Sequence, residues 1–131
     1  MVILILLVLA LFVLQTLLPA CFRYMSGPGA GRKLVSALGP RDDPPPQTRV
    51  GGRAERALAN MHEALPVFLA LALLNLIVGT GDLALTGATV FLVARVLYVP
   101  AYLAGITGVR TLIWVVSLVG LVMMLTPLLA R

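Results

Sequence analysis

Charged residues make up only 11% of this 131-residue chain, and just five of them are acidic. A soluble domain carries about a quarter of its residues as charges, so the deficit excludes a soluble enzyme. Cysteine occurs once, at Cys21, which rules out an internal disulfide, a CxxC redox pair and a cysteine-based metal site. Histidine also occurs once. His62 has no Cys, Asp or second His at ligand spacing, so no metal is expected. What the chain has in quantity is hydrocarbon: 60% of residues are apolar and the mean hydropathy is +1.05. Four membrane crossings at about 20 residues each use about 80 residues and leave about 50 for connections, with no room for a separate soluble domain. The net charge of +5 is uneven, because seven of the ten Lys and Arg lie between Arg23 and Arg56. Such clustering orients a membrane protein and is no nucleic-acid footprint, so no nucleic-acid partner is expected.

The apolar runs predict an all-α membrane four-helix bundle forming a single domain over 1–131, with helices at about 2–22, 54–79, 83–106 and 110–130. Between the first two runs, residues 23–53 are rich in Gly, Pro and Arg and read as a surface loop. Asp42 and Asp43 offer turn-forming side chains there; a lid over a site at the membrane surface is the other reading of that loop. Gly79 to Asp82 and Thr107-Gly108 read as the two short turns. The basic loop belongs on the cytoplasmic side, which puts both termini on the other side. Arg110 agrees with that orientation and Arg131 dissents mildly.

Apolar bulk does not account for Glu63 and Arg95, since a charge near the bilayer centre costs several kcal/mol unless it is partnered. Glu63 lies ten residues beyond Arg53, roughly 15 Å along the helix axis, and Arg95 sits at matching depth on an antiparallel helix. A direct or ligand-bridged Glu63–Arg95 pair is therefore expected, and an ion pair that only fixes register is the plainer version. Arg53, Arg56, Asn60 and Glu63 fall on one helical arc of roughly 80°. Arg95, Tyr98 and Tyr102 share a face on the next helix. Pro66 and Pro100 interrupt the ladders beside these positions, where kinks would widen a cavity. Gln15 and Asn75 suit hydrogen bonds between helices, while Trp114 and Met123-Met124 read as packing or lipid contact. Arginine donors, one carboxylate, an amide and two phenols suit a small anion that also bears an ammonium group, and the apolar walls suit a lipophilic second substrate.

The string Glu55-Arg56-Ala57-Leu58-Ala59-Asn60-Met61-His62-Glu63-Ala64-Leu65-Pro66 resembles a signature of the MAPEG family, the membrane-associated proteins in eicosanoid and glutathione metabolism, which include the microsomal glutathione transferases. Its core Arg-x-x-x-Asn-x-x-Glu-x-x-Pro is intact. Ala94-Arg95-Val96-Leu97-Tyr98-Val99-Pro100-Ala101-Tyr102 is similar to that family's second signature, and Arg110-Thr111 matches the start of its fourth helix. The resemblance implies a homotrimer with glutathione as cosubstrate, held between subunits near the cytoplasmic surface. Arg56, Asn60 and Glu63 would bind the peptide's charged ends, with Arg95 and Tyr102 completing the pocket; Arg53 and Tyr98, which share the two polar faces, are further candidates to line it. Arg110 and Tyr102 would be the catalytic residues, Arg110 stabilising the thiolate.

Three functions remain open from the residues. The first is a glutathione-dependent transferase or peroxidase acting on lipophilic electrophiles drawn from the membrane. The second is a noncatalytic relative that binds lipids or lipophilic small molecules, or scaffolds partners. The third is a small four-helix exporter coupled through an intramembrane Glu, although such proteins usually place that residue in the first helix, which here is uncharged.

Overall fold

A computed structural model describes residues 1–25, 38–39, 44–79 and 81–130. The readings placed on Asp42, Asp43, most of the basic loop and Arg131 lie outside the described residues. Within them run four helices, α1 (Val2–Tyr24), α2 (Arg49–Val78), α3 (Asp82–Ala104) and α4 (Thr107–Leu129), each long and apolar enough to cross a membrane. Helices suit that medium because every backbone bond is made within the segment. Threonine hydroxyls follow the same rule. Thr86, Thr89, Thr111 and Thr126 each donate to the carbonyl four residues earlier, and Thr16 to the one three earlier. All four helices continue through a proline, at Pro19, Pro66, Pro100 and Pro127.

Two boundaries differ from the sequence reading. Helix α2 begins five residues before Ala54, because the Thr48 hydroxyl accepts from the Gly51 amide at 3.0 Å and caps the helix. The Gly51-Gly52 pair, which reads as loop, is therefore helical. The turn between α3 and α4 lies at Gly105-Ile106, not Thr107-Gly108. Gly105 takes the left-handed conformation at φ 81°, and its amide bonds back to Ala101 and Tyr102, the usual way for a helix to stop at glycine.

The core joins Val8 of α1 and Met61, Leu65, Phe68 and Ala72 of α2 to Ala88 and Phe91 of α3 and Leu121 and Met124 of α4. Phe68 and Phe91 stack with ring centroids 4.7 Å apart. Helices α3 and α4 come into backbone contact at two glycines: a Cβ on Gly87 would stand 2.6 Å from the Gly120 carbonyl oxygen, and one on Gly120 would stand 2.7 Å from that of Gly87. Small residues at a crossing are how membrane helices gain contact where no hydrophobic effect drives them together. At the same level Asn75 donates to Met124 O at 3.0 Å and ties α2 to α4, as its sequence position suggests. Gln15 is buried as well, with no partner for its Oε1 among the described residues.

Candidate functional site

The polar end of the bundle is assembled from three helices. Asn60 comes from the first half of α2, Tyr98 and Tyr102 from the last turns of α3, and Arg110, Thr111 and Trp114 from the first turns of α4; together they line a cavity of about 210 Å³. Helical pitch explains each contribution, since residues four apart share a face. Tyr98 and Tyr102 stand one turn apart with ring centroids 5.3 Å from each other. Arg110 and Trp114 are one turn apart on α4, and the Arg110 guanidinium carbon sits 4.8 Å from the centre of the Tyr102 ring, a cation–π contact that holds the charge in place.

Arg95 lies beneath this cavity and is 1% exposed. Its Nη1 donates to Asn60 Oδ1 at 2.5 Å, and its guanidinium carbon lies 5.2 Å from the Phe91 ring and 5.6 Å from that of Tyr98. Nε and Nη2 are buried without a hydrogen-bond partner among the described residues. The direct Glu63–Arg95 pair is not formed; Arg95 bonds to Asn60, one turn before Glu63 on α2, while Glu63 is exposed. Matching depth is not enough for contact, because Arg95 is held inward between two aromatic faces and Glu63 points out of the bundle.

The remaining sequence candidates are dispersed. Arg53 donates from Nη1 to Leu103 O at 2.8 Å, and its guanidinium packs against Gly105. It thereby closes the carboxyl end of α3, where a cation meets orphan carbonyls and the negative end of the helix dipole. Arg56 is exposed on α2. Arg110 sits one turn inside α4, not at its first residue, and its own amide donates to Ile106 O. Thr111 and Trp114 line the cavity without having been singled out as site residues. Their signal was the spacing from Arg110, one and four residues, which places Trp114 on the same face. His62 lies away from the cavity, edge-on to Phe12 of α1 with ring centroids 5.0 Å apart, its Nδ1 donating to Leu58 O.

Two larger hollows are apolar. One of about 360 Å³ lies between α3 and α4, and one of about 490 Å³ between α1 and α3, and both use Val93 and Leu97. Neither presents a free polar group, since Thr89 in the first spends its hydroxyl on Leu85 O. Polar chemistry belongs to smaller cavities: the one beside Arg110 and another of about 220 Å³ lined by Arg23, Tyr24, Gln47 and Glu55, where Arg23 and Glu55 already pair with each other.

The order of motifs along α2, α3 and α4 is matched by a family comparison: the model of the MAPEG family covers residues 1–130. The chain belongs to the MAPEG family. Comparison with curated proteins and with solved structures returned no match. As a MAPEG member with four spanning helices, it is an integral membrane protein, and the cavity beside Arg110 is lined by residues of the two family-like strings in α2 and α3 together with the start of α4.

Proposed function

We propose that this MAPEG protein is a glutathione-dependent transferase or peroxidase acting on lipophilic electrophiles, and that it works as a homotrimer. The observation that carries the reading is the cavity in which Arg110, Tyr98, Tyr102 and Asn60 converge. Its donors suit an anionic peptide: a guanidinium at Arg110, two phenols and an amide, with the unpartnered nitrogens of Arg95 beneath them. A cavity of about 210 Å³ is smaller than the roughly 300–1,000 Å³ of whole-ligand pockets. It would take the thiol end of the peptide, leaving the charged ends to the exposed face of α2 that carries Arg56 and Glu63, where a neighbouring subunit would cover them.

Bound glutathione supplies the thiol that, once deprotonated, attacks the electrophile or peroxide. The protein's own work is to favour the ionised sulfur and keep water away. Arg110 does the first, because a fixed cation beside the sulfur lowers the cost of the thiolate. Tyr102 keeps that guanidinium in place and offers a phenol as second donor. The apolar hollows along α3 lie deeper than the cavity, against residues 89–97, and are suited to hold the lipophilic partner below it.

Ultraviolet difference absorbance of the detergent-solubilised protein, titrated with glutathione near neutral pH, tests this reading. A saturable thiolate band that Arg110→Ala abolishes is expected. No band, together with no heat of binding by calorimetry, would remove the transferase and leave a noncatalytic lipid-binding or scaffolding member.

A further inference from the structure

Asn60 has an acceptor end and a donor end, whereas a guanidinium has donors only. The hydrogen bond from Arg95 Nη1 to Asn60 Oδ1 therefore fixes which way the amide faces. It consumes the oxygen and leaves the Nδ2 amino group as what Asn60 can offer to the cavity it lines. The opposite orientation would set donor against donor beside a buried guanidinium, where an unmade hydrogen bond is costly.

We propose that Arg95 is a positioning residue that sets the polarity of the cavity: by holding the amide oxygen of Asn60, it makes Asn60 a hydrogen-bond donor to an anion bound beside Arg110. The assignment deepens the thiolate reading given above and rests on it for the identity of the natural anion. Three observations support it. Arg95 is almost completely buried and, among the described residues, has no partner for Nε and Nη2 and forms no ion pair. The rings of Phe91 and Tyr98 pack around it and fix its height below the cavity. Asn75, the other asparagine of the chain, shows the purely structural arrangement, its Nδ2 donating to Leu71 O and Met124 O. In Asn60 the amide is turned the other way, with its oxygen bound inside the bundle.

With only two asparagines in the chain, ¹⁵N labelling of asparagine side chains gives two Nδ2H₂ signals in the detergent-solubilised protein. Iodide is the probe, because it is an anion with no thiol and no peptide; glutathione is titrated separately. Iodide is expected to shift the Asn60 signal saturably and leave Asn75 unmoved. Arg95→Lys, which still offers donors only, should keep that response. Arg95→Met, which has no donor and lets the Asn60 amide turn either way, should weaken the apparent iodide affinity about tenfold or more. Iodide leaving the wild-type Asn60 signal unmoved overturns the proposal, as does Arg95→Met responding like wild type. Should Arg95→Met not fold, loss of the Asn60 response in Arg95→Lys overturns it instead. An Asn60 signal that responds to iodide but not to glutathione keeps the polarity assignment and removes the transferase reading, so the two failures are separable.

Discussion

Near the turn between α2 and α3, Gly87 and Gly120 bring two backbones into contact and Asn75 spends its amino group on carbonyls of its own and a neighbouring helix. Near the turn between α3 and α4, Arg95 is buried with two nitrogens that have no partner among the described residues, and Arg110 rests on the face of a tyrosine at the wall of a cavity. Both ends hold polar groups in an apolar medium, yet Asn75 is bonded at the first while Arg95 at the second keeps two donors open among the described residues. Buried donors without partners cost stability, so a fold that keeps them at one end and satisfies its polar groups at the other separates the part that holds the bundle together from the part that is free to bind.

That division predicts opposite phenotypes for substitutions at the two ends. The largest effect expected is on Arg110. If it stabilises a thiolate, Arg110→Ala lowers turnover with glutathione and an aryl halide by about 10²–10³, the usual cost of one charge-stabilising donor, while thermal unfolding in detergent stays close to wild type. Gly87→Ala should do the reverse. The added carbon would meet the Gly120 carbonyl at 2.6 Å and Met123 Cβ at 2.8 Å, and neither is the far end of a flexible side chain. A loss of about 1–3 kcal/mol is expected, read from denaturant or thermal unfolding, with glutathione affinity unchanged in whatever fraction remains folded. A turnover defect in Gly87→Ala at full stability would break the comparison.

Much of this was legible from residue spacing. Long uncharged runs specify the spans, and offsets of three, four and seven place Arg95, Tyr98 and Tyr102 on one face whatever lies across from it. Periodicity does not say which neighbour stands opposite. Arg53 belongs to the same arc as Asn60, yet it serves the last carbonyls of α3, a role set by where Gly105 ends that helix. Glu63 and Arg95 share a depth but not a direction. Trp114 reads as packing or lipid contact; it is exposed in the structure and also lines the cavity beside Arg110. Helix starts were obscured for a local reason: a pair of glycines reads as loop, while the Thr48 cap that begins α2 depends on one hydroxyl and its geometry.

Arg53 provides the next test, since it is polar and lies at the chemical end but has a structural partner. Arg53→Ala removes the bond to Leu103 O and is expected to cost about 0.5–1.5 kcal/mol, with greater fraying of the last turn of α3 seen as faster amide exchange there. Its effect on glutathione affinity should be smaller than that of Asn60→Leu, which removes a cavity-lining amide.

The smallest effect should come from Glu55, and its smallness is informative. Glu55 belongs to the family-like string beside Arg56, and it accepts from Gln47 Nε2 at 2.6 Å and from Arg23 Nη2 at 3.4 Å. Its side chain is 47% exposed and that of Arg23 28% exposed, so solvent screens the pair and a stabilisation of no more than about 1 kcal/mol is expected. Glu55→Gln keeps a hydrogen-bond acceptor at the same position. It should shift stability by a few tenths of a kcal/mol, flatten the dependence of unfolding on salt, and leave the thiolate band untouched. Loss of the band in Glu55→Gln would mean that the polarity of the whole α2 start, and not the cavity beside Arg110, creates the site. Retention would tie function to that cavity and set it apart from the Arg23–Glu55 pair, even though Arg23 Nε, like two nitrogens of Arg95, is buried without a partner among the described residues.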